Sequence, residues 1–488
     1  MSQHTVTFLP SGVRATVESG TTLLAAQIAA GLHPDAPCGG RGTCGKCLVD
    51  VGGRQALACQ TRVEADVTVT IPDAGEARIL SGGASVAAAP DGENRYALAI
   101  DVGTTTLVCC LLDGRTGVLL SQASALNPQR QFGADVISRI EAAMTGGGEA
   151  LSGCIRGALD ALTREVCARA GIAPEAVGVA AIAGNTAMHH LLLGIDPRPL
   201  VTPPYMPAVF EAMERPAAGI LPIGGTLRVL PNIAGFVGGD TVGCMAATGF
   251  DALSELTLMI DIGTNGEIVL GRGARRLACS TAAGPAFEGA KISCGMRGEP
   301  GAVDRVWLDG GELRHRVIGG GAAVGLCGSG LLDLTAALLE LGEIDETGRM
   351  ASEACALPGT RVRLTQKDVR EVQLAKAAIR AGIELLLRGL GAATDDVRQV
   401  LLAGAFGNYL RPASACRIGM IPPALLDRVV PIGNAACEGA KLCALSRAAF
   451  EHAKALAKGT EFVELASLPG FQDCFVNALE FSEDDDGL

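Results

Sequence analysis

The chain has 488 residues, enough for roughly three domains of ~150 residues with large cores. Its 65 glycines are nearly twice the usual share of ~7 %, while one Trp, three Tyr and twelve Phe leave few stacking surfaces. With 40 Lys and Arg against 52 Asp and Glu, a formal net charge of −12 and so few aromatics, the composition argues against a nucleic-acid groove. Every apolar run is broken well before the ~20 residues of a membrane span, so no membrane span is expected. A protein or small-anion partner fits better.

The opening stretch Met1–Val17 alternates polar and apolar residues without a signal-peptide core, which predicts a cytoplasmic protein. Thr5–Leu9 and Val13–Glu18 read as a hairpin turned by Pro10, Ser11 and Gly12, followed by a helix over Thr22–Ala30 that Gly31 ends. A Gly/Cys loop spans Pro37–Cys47, and strands Leu48–Val51, Ala56–Cys59 and Val67–Ile71 complete a small mixed sheet. Residues 1–73 thus form one domain. Residues 74–95 are Ala, Gly, Ser and Pro with scattered charges, which reads as a linker.

In the loop, Cys38, Cys44, Cys47 and Cys59 follow the spacing C-x5-C-x2-C-x11-C. Structural zinc sites generally take their ligands as two close pairs; three cysteines in one loop with a fourth on a later strand is an iron–sulfur arrangement. Gly39, Gly40, Gly42 and Gly45 between them let backbone N–H groups aim at the sulfurs. Zinc and plain structural thiols are the alternatives. An odd total of 17 cysteines in a reducing compartment argues against a disulfide framework, and the other thirteen lack such spacing. Cys109, Cys110, Cys244 and Cys327 read as buried hydrophobes. Residues 3–73 resemble the β-grasp [2Fe-2S] ferredoxins, and the resemblance implies the four cysteines as ligands of a [2Fe-2S] cluster.

The rest reads as a duplicated α/β body, residues 96–254 and 255–488. Leu98-Ala-Ile-Asp101-Val-Gly103-Thr104-Thr105-Thr106 recurs as Leu258-Met-Ile-Asp261-Ile-Gly263-Thr264-Asn265-Gly266, and Ala183-Gly184-Asn185-Thr186 has a weaker echo in Ala403-Gly404-Ala405-Phe406-Gly407-Asn408. Each half reads as three strands, a helix and a strand. The second copy carries about 60 extra residues, placed at about 284–365. An Asp closing an apolar strand, followed by Gly and hydroxyl or amide residues, suits phosphate: N–H groups and hydroxyls donate to it, and the Asp holds Mg²⁺ through water. Hairpins of this kind also occur without ligands, but two at matching positions of a repeat are a stronger sign.

Both turns resemble the phosphate loops of the actin, Hsp70 and sugar-kinase ATPase superfamily, which has a duplicated RNase H-like core with ATP between the halves. The resemblance implies Asp101 and Asp261 at the phosphates, with Gly103, Thr104, Thr105, Gly263, Thr264 and Asn265 as donors. It also implies Gly404, Ala405, Phe406, Gly407 and Asn408 as the adenosine motif. Gly239-Asp240-Thr241, leading into a helix over Val242–Gly249, resembles the first connecting helix, where an acid orients the attacking water. Asp240 is the candidate, with a helix N-cap as the alternative. Gly433–Gly439 would begin the second connecting helix. His189 and His190 read as packing or capping residues, and Gly284–Gly289 as a segment lining the cleft or meeting a partner.

A ferredoxin-type domain, a linker and a duplicated ATPase core together resemble the reductive activators of corrinoid-dependent methyltransferases. The likeness extends to Gly184–Leu191, Pro231–Val237 and Gly328–Asp333. It implies an ATP-hydrolysing electron-transfer enzyme that passes one electron to Co(II) of a corrinoid protein and restores Co(I). Its partners would be that corrinoid protein and a low-potential electron donor, with a homodimer left open. A sugar-type kinase fused to a ferredoxin domain, and an electron carrier with a non-hydrolysing nucleotide-binding scaffold, are the alternatives.

Overall fold

The structure, a computed structural model, describes residues 2–10, 12–30, 32, 47–71, 90–133, 135–263, 265–289, 291–298 and 300–481. The chain divides into two compact units, Met1–Leu80 and Ser81–Leu488.

In the first unit, strands β1 (Gln3–Leu9) and β2 (Val13–Glu18) precede helix α1 (Leu23–Ala29), and β3 (Leu48–Val51), β4 (Arg54–Leu57) and β5 (Val67–Thr70) come after it. The sheet order is β2-β1-β5-β3-β4, with β1 and β5 parallel and the remaining pairs antiparallel. Alternation along β1 and β2 sends Val6, Phe8, Ala15 and Val17 inward, where Leu23, Leu24 and Ala26 of α1 cover them. The expected strand Ala56–Cys59 lies two residues earlier. Gly52 and Gly53, at φ 61° and 85°, make a two-residue turn that the Asp50 carboxylate braces by accepting from Gly53 N at 2.7 Å. Pairing therefore resumes at Arg54, opposite Val51.

The second unit begins in the segment expected to be a linker. Asp91 N donates to Leu445 O and the Asp91 carboxylate accepts from Arg447 N, at 3.0 and 2.8 Å, so residues 91–95 run along the body. Strands β6 (Tyr96–Val102), β7 (Thr106–Asp113) and β8 (Leu119–Leu126) form a meander. Helices α2 (Val136–Ala142) and α3 (Gly148–Arg169), strand β9 (Val179–Gly184), helix α4 (Thr186–Leu193), strands β10 (Met213–Pro216) and β11 (Thr226–Val229) and helix α5 (Gly239–Thr248) complete the first half. The second half repeats the meander as β12 (Thr257–Ile262), β13 (Gly266–Arg272) and β14 (Arg275–Thr281). Strands β15 (Ala302–Asp309), β16 (Glu312–Val317) and β17 (Gly325–Leu326), helix α6 (Gly328–Glu340) and strands β18 (Ala354–Ala356) and β19 (Arg363–Thr365) then intervene before helix α7 (Gln366–Leu390) and strand β20 (Gln399–Ala403). Helices α8 (Gly404–Tyr409) and α9 (Pro412–Arg417), strand β21 (Val429–Gly433), helices α10 (Ala435–Leu445) and α11 (Arg447–Lys458), strand β22 (Glu461–Phe462) and helix α12 (Phe471–Asn477) end the chain.

The two large sheets have the same order, β10-β11-β9-β6-β7-β8 and β21-β20-β12-β13-β14-β22. The register repeats too: Asp101 pairs with Ala183 of the parallel neighbour β9, and Asp261 with Ala403 of β20. Each half has its own apolar core. Between them α10 packs on α5, β6 and β9. The helices α5 and α10 meet at glycines, because a Cβ on Gly439 would lie 2.1 Å from Gly243 O.

Gly328–Asp333 proves to be scaffolding. A Cβ on Gly330 would lie 2.1 Å from Val303 O, Ser329 Oγ donates to Asp304 O at 2.9 Å, and the buried Asp333 accepts from Ser414, Val306 N and Arg411.

The helix crossing sets the first prediction. Gly439→Ala forces the two helices apart and lowers stability by ~1–3 kcal/mol. Gly153→Ala, in α3 with open space around the added carbon, raises it by ~0.5–1 kcal/mol. Thermal unfolding of both variants checks the contrast.

Candidate functional site

Three of the predicted acids converge. Asp101 ends β6, Asp261 ends β12, and Asp240 lies in the first turn of α5. Parallel pairing at matching register puts the two strand ends in equivalent places, and the crossing of α5 and α10 brings the halves together there. Asn434, the N-cap of α10, donates from Nδ2 to Asp101 Oδ2 at 2.8 Å, and the Cys244 thiol donates to Asp261 Oδ2 at 3.8 Å. Each acid keeps part of its surface open to solvent, as residues lining a cleft do.

Burial of these carboxylates disfavours their charged forms, and mutual repulsion adds to it at Asp101 and Asp261. Burial raises Asp101 to about 7, against the Asn434 hydrogen bond and helped by the Asp240 charge. Burial and the charges of Asp240 and Asp101 raise Asp261 to about 7. Burial raises Asp240 to about 6, although amides at the start of α5 oppose it. Asp240 is not the N-cap: Gly238 holds that position, and the Asp240 carboxylate turns back to accept from Thr241 N at 2.7 Å.

A fourth acid carried no sequence motif. Glu267 in β13 stands directly opposite Asp261, and burial with the charges of Asp240 and Asp261 pushes it well above the usual carboxylate range. In the first half Val108 holds the matching place opposite Asp101. The visible signal was an acid within an otherwise apolar strand, next to Ile268–Leu270.

The two Asp-Gly turns differ in how they are braced. Gly103 N donates to Thr106 O at 3.1 Å and Gly263 N to Asn265 O at 2.9 Å. Around the first, Asn127 Nδ2 donates to Gly103 O, Asn185 Nδ2 to Thr104 Oγ1 at 2.9 Å, and the fully buried Arg139 to Thr104 O at 2.7 Å. Asn127 and Arg139 carried no motif and were legible only from the folded chain. Gly404 lies beside Asp261 at φ 86°, and a Cβ there would fall 2.5 Å from Asp261 Oδ1. Gly407 is buried in α8.

The other motif residues support this cleft. The His190 ring donates from Nδ1 to Thr186 O and accepts at Nε2 from Ala208 N. His189 meets Asn232 of the Pro231–Val237 segment at 2.6 Å, and burial with the neighbouring His190 lowers it to about 4. Both are packing residues. Glu288 of the Gly284–Gly289 segment reaches the first turn, accepting from Thr105 Oγ1 at 3.2 Å.

In the first unit, Cys47 precedes β3 and Cys59 lies just past β4. Ala58 N donates to Cys47 O at 2.8 Å, so both buried thiols lie at the same end of one hairpin. Gln60 Nε2 approaches Cys59 Sγ at 3.8 Å. Two thiols brought together with a nearby N–H donor fit half of an iron–sulfur ligand set. Cys38, Cys44 and Thr264, and the side chains of Ala405, Phe406 and Asn408, lie outside the described residues.

Comparison with known proteins assigns all three regions. Residues 6–64 match the 2Fe-2S iron–sulfur cluster binding domain, residues 96–253 the RACo middle region, and residues 255–488 the C-terminal domain of RACo, the ASKHA domain. The corrinoid activation enzyme RamQ of Eubacterium limosum is 35 % identical over 83 % of this chain and 74 % of its own length. The chain belongs to the RACo family. Another relative, the [Co(II) methylated amine-specific corrinoid protein] reductase of Methanosarcina barkeri, is 30 % identical over 47 % of this chain and 46 % of its own. A solved structure of a reductive activator for corrinoid, iron–sulfur protein aligns over 98 % of both chains, with a TM-score of 0.72 and 28 % identity. The architecture is therefore that of the RACo family, a ferredoxin-type β-grasp domain followed by a duplicated actin/Hsp70-like core. Among the described residues no helix is long and apolar enough to cross a membrane.

The raised acids predict a pH dependence. Groups whose folded pKa lies above the ordinary carboxylate value bind extra protons in the folded state, so stability of the nucleotide-free protein falls as pH rises from about 4 to about 7. Asp261→Asn removes one such charge and raises stability at pH 7.5 by ~1–4 kcal/mol, a gain that vanishes near pH 4. Melting curves across that range check it, and a variant less stable than wild type at pH 7.5 contradicts it.

Proposed function

We propose that this chain is an ATP-dependent reductive activator that delivers one electron from its [2Fe-2S] cluster to Co(II) of a corrinoid protein, regenerating Co(I) for methyl transfer. The observation that carries this reading is the likeness along 98 % of the chain to a reductive activator for corrinoid, iron–sulfur protein. RamQ and the methylated amine-specific corrinoid protein reductase support it.

The cluster supplies one-electron chemistry, and Cys38, Cys44, Cys47 and Cys59 are its proposed ligands. In the cleft, amides and hydroxyls of Gly103, Thr104 and Thr105 receive phosphate oxygens from one side, and Gly263, Thr264 and Asn265 from the other. Gly404, Ala405, Phe406, Gly407 and Asn408 hold the adenosine. Asp101 and Asp261 would hold Mg²⁺, whose charge would offset the cost of burying them. Asp240, fixed by the Thr241 amide, orients the attacking water.

Reduction to Co(I) is uphill for common donors. A gap of about 0.2 V for one electron, at ~59 mV per tenfold, is ~4.6 kcal/mol, within reach of a protein that prefers one cobalt state and is reset by ATP hydrolysis. The partners are the corrinoid protein and a low-potential electron donor, in the cytoplasm; a homodimer is compatible with this reading.

Anaerobic mixing of the reduced protein with a corrinoid protein, with and without ATP, tests the proposal through the cobalt spectrum. Co(I) bands appear only with ATP; bands that are equal without it contradict an ATP-driven step. Cys47→Ser abolishes the visible absorption of the cluster and the cobalt reduction while leaving nucleotide affinity within about twofold.

A further inference from the structure

Glu288 and Thr105 come from opposite halves of the duplicated core. The carboxylate stands on the short turn Pro285–Glu288, whose Ala286 and Phe287 are buried in the core of the second half. It accepts from the hydroxyl of Thr105, in the first Asp-Gly turn, at 3.2 Å. Its charge also acts on Arg139, the guanidinium that donates to Thr104 O in the same turn. A hydroxyl has one hydrogen to donate. A phosphate oxygen arriving at Thr105 must take that hydrogen from Glu288, and the two anions repel each other.

Glycines at positive φ flank the turn, Gly284 at φ 77° and Gly289 at φ 83°, and Gly289 is packed against the backbone of Met296, where a Cβ would lie 2.6 Å from Met296 O, so a displacement of the turn is passed on to that residue. The segment beyond Gly289 is tightly built. A Cβ on Gly295 would lie 1.9 Å from Gly289 O, so the chain folds closely back on itself. Met296 N donates to Leu326 O and Leu326 N to Cys294 O, at 2.8 and 2.7 Å, joining the segment to β17. Ser293 N donates at 2.7 Å to Asp368, the acid that shares a capping box with Thr365 at the start of α7.

We infer that Glu288 is a positioning residue that ties the first Asp-Gly turn across the cleft, and that arriving phosphate displaces it and thereby shifts Gly289 and the Ser293–Met296 stretch packed on it, with β17 and the start of α7. This deepens the proposed function and rests on its placing phosphate at Gly103–Thr105. It gives nucleotide occupancy a physical route to the inserted strands and α6, at the far end of the segment.

The test uses the full chain and Mg²⁺ with a non-hydrolysable ATP analogue. Binding is measured by calorimetry, and hydrogen exchange is followed at the amides of Ser293, Gly295, Met296 and Leu326. In wild type, nucleotide changes exchange at these amides. In Glu288→Gln and Glu288→Ala the change is lost and the analogue binds at least ~5-fold more tightly, because no carboxylate has to be displaced. Glu288→Asp, which keeps the charge, retains wild-type behaviour in part. Thr105→Val, which removes the shared hydroxyl, loses the exchange response without the gain in affinity. Tight binding by wild type with no exchange response, or the same response in Glu288→Ala, overturns the inference and leaves the nucleotide site intact. Absence of nucleotide binding by wild type overturns both.

Discussion

Gathering several carboxylates in one protein-lined cleft costs free energy unless donors or cations offset their repulsion, and the second unit is organised around that concentration of charge. Asp101 and Asp261 arrive there because two sheets of the same order end at matching register. Asp240 arrives because α5 and α10 cross at glycines close enough to bring the halves together. Glu267 adds a fourth acid across from Asp261. Donors within the protein offset part of this: the Asn434 amide on Asp101, the Thr241 amide on Asp240, the Cys244 thiol on Asp261 and the Ser280 hydroxyl on Glu267. The result is a site that gains from a cation accompanied by phosphate. Burial is what chiefly raises these acids, with mutual repulsion adding to it at Asp101, Asp261 and Glu267.

Much of this was written in the sequence as repetition. The glycine of the first Asp-Gly turn, the glycine after each later strand and the glycines of the helix crossing lie where the backbone comes close to another part of the chain, and glycine marks such places directly. Gly404, pressed against the Asp261 carboxylate, is one case, and Gly439, pressed against Gly243, is another. Residues that act through tertiary position were not legible. Arg139 and Asn127 brace the first turn from 24 and more residues away, and nothing in their neighbourhoods marks them. Glu267 could be seen only as a charge in an apolar strand until its register with Asp261 was known. The β4 boundary shifted because a Gly-Gly turn with its own Asp brace restarts pairing at once, a local rule that overrides the apolar run in the sequence.

Of the four cysteines whose spacing predicts a cluster site, Cys47 and Cys59 lie among the described residues, where they share one end of β3–β4. Placing a cluster-binding unit and a nucleotide cleft on one chain gives electron delivery and ATP hydrolysis a common scaffold. The contact between Glu288 and Thr105 adds a means by which occupancy of the cleft is felt elsewhere in the second half. In the proposed function, loop bracing, the buried carboxylates and the cross-cleft tie act together in responding to nucleotide.

In the proposed function, ATP bound at the carboxylate cleft drives cobalt reduction. Its most direct test is Asp261→Asn, reduced anaerobically so that its cluster absorption matches wild type, mixed with the corrinoid partner and Mg·ATP while the cobalt spectrum is recorded. In the variant Co(II) persists under conditions where wild type forms Co(I). Formation of Co(I) at the wild-type rate, still dependent on ATP, would contradict it.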